Sequence, residues 1–257
     1  MRYLILLFPV LLNAQAIQLA PPQFIGGPVF FITKSKVSLE FDLDNSAIHY
    51  AFNDTLTQHS PVYNKPVKIR NSGTLKVMAT HPDFLPSEVL EKQFVKVRYQ
   101  PKNLKLLTPP NEKYPGKGAA SLHDLKKGAR DLHDGAWLGF LSDTIAMEVL
   151  FVDKKLCNSL IISTLIDKGA WVFPPRKIVV YAKNKQSAWE QIGLWQAENT
   201  STSNAPGPNY AEFISLELQP MKTREIRIEV LPWGLLPLGH PGAGTPAWLF
   251  LDEIVFQ

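Results

Sequence analysis

The chain has 257 residues, with 27 lysines and arginines against 23 aspartates and glutamates and a single cysteine. A formal charge of +4, with the bases scattered among acids and no basic stripe, argues against nucleic acid as a partner. Cys157 alone excludes an intrachain disulfide, so the fold must be held by apolar cores, with or without a metal.

Residues 1–16, MRYLILLFPVLLNAQA, have the pattern of a Sec-type signal peptide. Arg2 is a basic start, Leu4 to Leu12 is an apolar run, and Ala14-Gln15-Ala16 is a small-x-small cleavage site. A membrane span needs about 20 apolar residues, roughly twice what is present, so no span is expected. The expectation is an exported protein, periplasmic or secreted. Residues 22–98 alternate in short runs (VSLEF, AIHYAF, TLKVMA, EKQFVKV) punctuated by turn residues such as Asn53-Asp54 and Asn71-Ser72-Gly73. This spacing predicts a small Ig-like β-sandwich. Pro, Gly, Asn and Lys dominate residues 99–118, and within that stretch residues 99–110 read as a linker. Residues 111–257 repeat the strand pattern at larger scale, from IAMEVLFV and SLIISTLI to the terminal WLFLDEIVF, with Gly/Pro-rich loops between. All six tryptophans lie in this part. The fold class expected is all-β: two antiparallel β-sandwiches in tandem.

The last strand carries two adjacent acids, Asp252 and Glu253, in an otherwise apolar run. Strict alternation places them on opposite faces, so they cannot form the facing carboxyl pair a glycosidase needs. Buried on either face, each requires a metal, an arginine or backbone N–H groups. The histidines show neither H-x-x-x-H nor H-E-x-x-H spacing, and Cys157 has no partner thiol, so no zinc site is read. Nor does a G-x-S-x-G elbow occur. Carbohydrate recognition by a sandwich uses aromatic faces in end loops with a few polar groups. Trp171 in DKGAWVFPP and Trp233 in LPWGLLPLGH fit that placement, with His240 beside Pro241-Gly242 as a polar neighbour. Loop packing, and for His240 a loop-fixing hydrogen bond, are the alternatives. Trp137 and Trp248 read as core.

Two stretches carry a resemblance. Ile48-His49-Tyr50, Ser60-Pro61-Val62-Tyr63, Thr74-Leu75-Lys76-Val77-Met78-Ala79 and Ser87-Glu88-Val89 follow one another between Ala47 and Lys96. This stretch resembles the chitobiase/β-hexosaminidase C-terminal-type domain, also called the fibronectin-type-III-associated repeat. Its usual Asp-Gly pair is replaced by Asn53-Asp54. Further on stand Tyr114-x-x-x-Gly118, Leu122-x-Asp124, Trp137-Leu138-Gly139-Phe140, Trp171-Val172-Phe173-Pro174-Pro175, Arg224-x-x-Arg227 and the closing Ala247 to Ile254. This part is similar to the galactose-binding-like (discoidin, F5/8 type C-like) jelly roll at the C-terminus of bacterial family-20 β-hexosaminidases. The catalytic barrel of those enzymes has no counterpart in these residues.

The resemblance implies a non-catalytic accessory protein that binds a glycan of amino-sugar or galactose type. A structural or docking module with an envelope-protein partner is the alternative, and a cryptic glycoside hydrolase is a third. The resemblance also implies a structural calcium, with Glu253 as the late ligand. The early ligand is Asp124, followed by Leu125 where the family has glycine, or Asp134 of the true Asp134-Gly135 pair. Against calcium stands Glu253 pairing with Arg227 or Arg130, or capping backbone amides.

Overall fold

The computed structural model describes residues 17–197 and 209–257. The signal-peptide reading of residues 1–16 falls outside them. Strands come in chain order as β1 (Gln23–Gly26), β2 (Phe30–Phe31), β3 (Ser35–Glu40), β4 (Ala47–Phe52), β5 (Val67–Ile69) and β6 (Gly73–Thr80). There follow β7 (Leu90–Lys96), β8 (Asn103–Leu106), β9 (Gly116–Ala119), β10 (Leu138–Phe140), β11 (Ile145–Leu156) and β12 (Ser159–Ile166). The series closes with β13 (Lys177–Lys183), β14 (Trp189–Gln196), β15 (Tyr210–Glu217), β16 (Lys222–Leu231) and β17 (Leu249–Phe256). The only helices among the described residues are two short 3₁₀ turns, so the protein is all-β.

The chain divides into two compact units. The smaller takes the described residues up to Gly27 together with Lys36–Gln93. In it β1, β3 and β5 form one sheet, and β4 pairs antiparallel with β6 from Ala47↔Thr80 to Phe52↔Leu75. Period-2 burial along β6 places Leu75, Val77 and Ala79 inside. The motif residues have structural work to do. His49 is buried with Nδ1 on the Ser60 carbonyl at 2.9 Å and Nε2 on Thr80 Oγ1 at 3.0 Å. Ser87 Oγ accepts from Ala79 N at 2.9 Å. Tyr50 N and Tyr63 N donate across to Pro61 and Ile48 carbonyls, zipping the Ser60-Pro61-Val62-Tyr63 segment alongside β4.

The larger unit takes Pro28–Ser35 with Phe94–Gln257. A five-stranded sheet, β14-β13-β16-β11-β8, faces a four-stranded one, β10-β17-β12-β15, across a single apolar core. From β10 onward the chain passes repeatedly from one sheet to the other, as a jelly roll does. Leu104, Met147, Val180, Ile228, Ile162, Leu251 and Phe256 all contribute to the core between them. The segment read as a linker, 99–110, is therefore not a spacer: it supplies β8, whose Leu104 is buried opposite Val149. Within the two sheets of the larger unit, the strand pairs with an assigned register are antiparallel, whereas β2 pairs parallel with the end of β7 (Phe30↔Val95, Phe31↔Lys96).

Strand β17 is buried on both faces, as its apolar content suggests, but not with the expected alternation. Its register against β12 runs Ser163↔Glu253 and then Thr164↔Leu251, leaving Asp252 as the extra residue of a β-bulge. Leu249, Leu251, Ile254 and Phe256 consequently share the inter-sheet core, whereas Phe250 and Val255 pack on the other side. Both acids thus leave the core on the same side, correcting the opposite-face expectation. The reason is energetic. Strict alternation would drive one carboxylate into the apolar core, at a cost of several kcal/mol, and one extra residue avoids it.

Candidate functional site

Two constellations in the larger unit carry the residues singled out from sequence. The first lies where the loop following the 3₁₀ turn Ala120–Leu122 covers the bulge of β17. Asp252, with no exposure, accepts from Lys127 Nζ at 2.5 Å and from Gly128 N at 2.7 Å, both on Oδ2. Its Oδ1 and the buried Ser163 hydroxyl have no hydrogen-bond partner, although Ser163 sits close enough to ease the charge on Asp252. The Lys127 ammonium lies 4.1 Å from the centre of the Trp137 ring, an ion–quadrupole contact. Gly128 is needed beneath that ring, because a Cβ would stand 2.5 Å from the indole. Trp137 Nε1 in turn donates to the Ala129 carbonyl at 2.8 Å and fixes the loop.

Glu253, 1% exposed, accepts from Leu125 N at 2.9 Å. Leu125 has φ 63°, the left-handed region a glycine would take without strain. That orientation aims its N–H at Glu253, and its side chain packs with Phe30, Val95 and Val255. Burial pushes the Glu253 carboxyl up to about 9, opposed by the Leu125 N–H and reinforced by the charges of Asp252 and Asp124. Burial likewise raises Asp252 and lowers Lys127, each held back by the opposite charge of the other.

The two early aspartates turn elsewhere. Asp124 Oδ1 accepts from Lys126 N at 3.0 Å and its Oδ2 meets Lys117 Nζ at 3.1 Å. Asp134 caps Ala136 N at 2.8 Å and also accepts from Ala129 N. A calcium ion takes six to eight oxygens. Here the two buried carboxylates are met by two N–H groups and an ammonium, and no cluster of three His, Cys, Asp or Glu residues able to hold a metal occurs among the described residues. This donor set does not fit calcium: Lys127 supplies the positive charge, and Glu253 caps an amide. Arg227, one of the two arginines suggested for Glu253, pairs instead with Glu148 at 2.6 Å. Addition of EDTA is expected to leave the melting temperature unchanged in a thermal scan. A drop that calcium reverses would contradict the reading.

The second constellation is the loop end of the same sandwich. Asp167 caps Ala170 N through Oδ1 at 3.1 Å and closes the turn Lys168–Ala170, which delivers Trp171 in the left-handed region at φ 68°. A non-glycine residue held there is costly unless its surroundings enforce it. Trp171 N bonds the Lys168 carbonyl at 3.1 Å, and its own carbonyl accepts from Trp248 N at 2.9 Å. The indole lies against Gly242, where a Cβ would stand 2.9 Å away, yet remains 39% exposed.

His240 is buried in the loop behind it. Gly242 N donates to Nδ1 at 3.1 Å, which leaves Nε2–H to donate to the Lys168 carbonyl at 3.0 Å. Nδ1 braces the 233–248 loop internally and Nε2 ties it to the Trp171 turn, so both ring nitrogens are spent and His240 fixes the loop. Trp233 is half-buried against Phe173, 5.7 Å between ring centres, with Leu236 and Ala247. Of the three residues, Trp171 is the one presented. Beside it runs an aromatic group that the sequence reading passed over as binding residues. Tyr114 meets Trp248 edge-on at 5.2 Å and His133 at 5.9 Å, with Lys113 Nζ 5.2 Å above Tyr114. Tyr114 stood in the sequence as a family marker, but nothing local links it to a tryptophan over a hundred residues later.

Residues 37–94 match the family model described as Fn3 associated, the same stretch whose motifs carried the first resemblance. No curated protein matches the chain. Among solved structures, a chitobiase C-terminal domain from Bacteroides fragilis is 15% identical, covering 62% of this chain and 95% of that one with a TM-score of 0.38. The family 32 carbohydrate-binding module of Streptococcus pneumoniae EndoD is 12% identical, with 60% and 95% covered and a TM-score of 0.38. A chitosan-binding module from a Paenibacillus chitosanase/glucanase is 10% identical, with 62% and 96% covered and a TM-score of 0.39.

Proposed function

We propose that the chain is an exported, non-catalytic accessory protein that binds a glycan of amino-sugar or galactose type through the loop end of its larger sandwich. The observation that carries this reading is Trp171: a large aromatic, 39% exposed, held at φ 68° by a network devoted to presenting it. A sugar ring offers C–H groups to such a face, while neighbouring polar groups set orientation. The Fn3-associated match at residues 37–94 is consistent with a partner of sugar-processing enzymes. Export rests on the signal-peptide pattern of residues 1–16. The non-catalytic reading is supported by the state of Asp252 and Glu253, which are locked under a loop by Lys127 and backbone amides rather than set across an open cleft.

The test is retention on immobilised amino-sugar and galactose-type polymers. Trp171→Ala is expected to weaken retention roughly 10-fold or more, the scale of an aromatic hot spot. Absence of retention on every such polymer sinks the proposal. A docking role toward an envelope protein is a second reading, favoured by Leu235 and Leu238, 63% and 90% exposed on the same loop. Capture of an envelope protein that free sugar does not compete away would select it.

A further inference from the structure

The smaller unit contains a cavity of about 410 Å³, lined by Phe52, Val67, Lys68, Ile69, Arg70 and Asn71. Its place in the fold is the end of β4 and the run of β5 into the turn that precedes β6. The wall is preformed. Asn53, at φ 54°, accepts from Thr74 N at 2.8 Å and donates to the Ser72 carbonyl at 3.3 Å, and its own N–H donates to the Thr74 carbonyl at 3.0 Å. Gly73 is required at that clamp, since a Cβ would stand 2.1 Å from the Asn53 amide. The Asn53-Asp54 departure from the usual Asp-Gly pair therefore has a consequence: the asparagine amide staples the turn to the end of β4.

Inside, Ile69 is buried and Phe52 half-buried, giving an apolar floor, while Lys68, Arg70 and Asn71 are exposed at the rim. Two cations and no acid line the cavity. Neither cation has an ion-pair partner among the described residues, in contrast to Lys76, paired with Glu91 at 3.5 Å, in the same unit. The acid nearest in sequence, Asp54, spends Oδ1 on Thr55 N at 2.7 Å.

We propose that this cavity binds an acidic saccharide, its carboxylate or sulfate on Arg70 and Lys68 and its ring against Phe52. The chemistry fits each part. A guanidinium offers a planar fork to a carboxylate or sulfate, and an ammonium adds a second charge. An aromatic ring takes the C–H face of a sugar, and the volume lies in the usual range for small-ligand sites. The site lies in a different unit from the Trp171 surface and does not depend on it.

Calorimetric titration of the full chain with trigalacturonate, its methyl ester and a sulfated galactose trisaccharide tests the proposal and separates the two anion types. At least one acidic probe is expected to bind, with the neutral ester roughly 10-fold or more weaker. Salt of about 1 M, where the Debye length falls to about 3 Å, should weaken the acidic probe. Arg70→Ala and Lys68→Ala, both at exposed positions, should each cut its affinity several-fold with an unchanged melting curve, and Trp171→Ala should leave it intact. The proposal is overturned if neither acidic probe binds, if the ester binds equally, or if the Arg70 and Lys68 variants bind like the parent.

Discussion

Replacing Lys127 by methionine is expected to lower the melting temperature by about 10 °C. Removing one partner of a buried ion pair costs about 3–5 kcal/mol, because the other charge is left without compensation. For a chain of this size each kcal/mol moves the midpoint by about 2–4 °C. The partner here is Asp252, which has no exposure and an Oδ1 already without a partner, so it has no route to solvent. The same substitution leaves the Trp137 face without the ammonium 4.1 Å away and unties the loop that covers the bulge. Two further variants separate charge from packing. Lys127→Arg keeps the charge and should retain a good part of the stability. The double variant Lys127→Met with Asp252→Asn removes both charges and should be more stable than Lys127→Met alone, because the uncompensated carboxylate is gone. A Lys127→Met variant that melts with the parent would show that the pair contributes nothing.

The importance of Lys127 was not legible in the sequence. It stands in the pair Lys126-Lys127, and one member folds inward only because Gly128 lets the chain pass under Trp137. The apolar runs and turn residues did reveal the all-β architecture, since period-2 patterning is a local property. The same rule failed at Asp252, where a bulge shifts the alternation by one residue. Bulges leave no local mark on a strand whose two faces are both apolar. The two charges were the available clue: a pair of neighbouring acids in a doubly buried strand is more economically read as a bulge than as two separate burials.

The loop end was legible in part. Trp171 could be found as an aromatic in a Gly/Pro-rich loop, and its exposure follows from the left-handed turn that Asp167 caps. Trp233 has the same sequence surroundings, yet half-buries against Phe173. The difference lies in contacts between residues some sixty positions apart, which local composition does not encode. His240 shows the same limit. Its position beside Pro241-Gly242 marked it as a ligand-contact candidate, but both ring nitrogens serve the loop. The linker reading of residues 99–110 rested on the Pro, Gly, Asn and Lys content of residues 99–118, while the burial of Leu104 fixes the segment's place in the sheet.

Glu253 gives the stability of the protein an alkaline dependence of predictable sign. In the unfolded chain its carboxyl titrates near the ordinary glutamate value of 4.5, whereas in the fold burial carries it to about 9. Below about pH 4.5 the group is protonated in both states and its contribution is constant. Between about 4.5 and 9 the folded state holds a proton that the unfolded state has released, so stability falls steadily as pH rises. Above about 9 both are ionised and the loss is complete. A shift of this size corresponds to several kcal/mol across the window, at about 1.4 kcal/mol per pH unit. Glu253→Gln should abolish this component: its midpoint should fall less between pH 5 and 9 than the parent's, and at the alkaline end it should be the more stable protein. The opposite result, Glu253→Gln being strongly destabilised at pH 8, would mean that Glu253 is ionised and held by a cation. That comparison distinguishes a protonated carboxyl under the Leu125 amide from a metal ligand without requiring any metal to be seen.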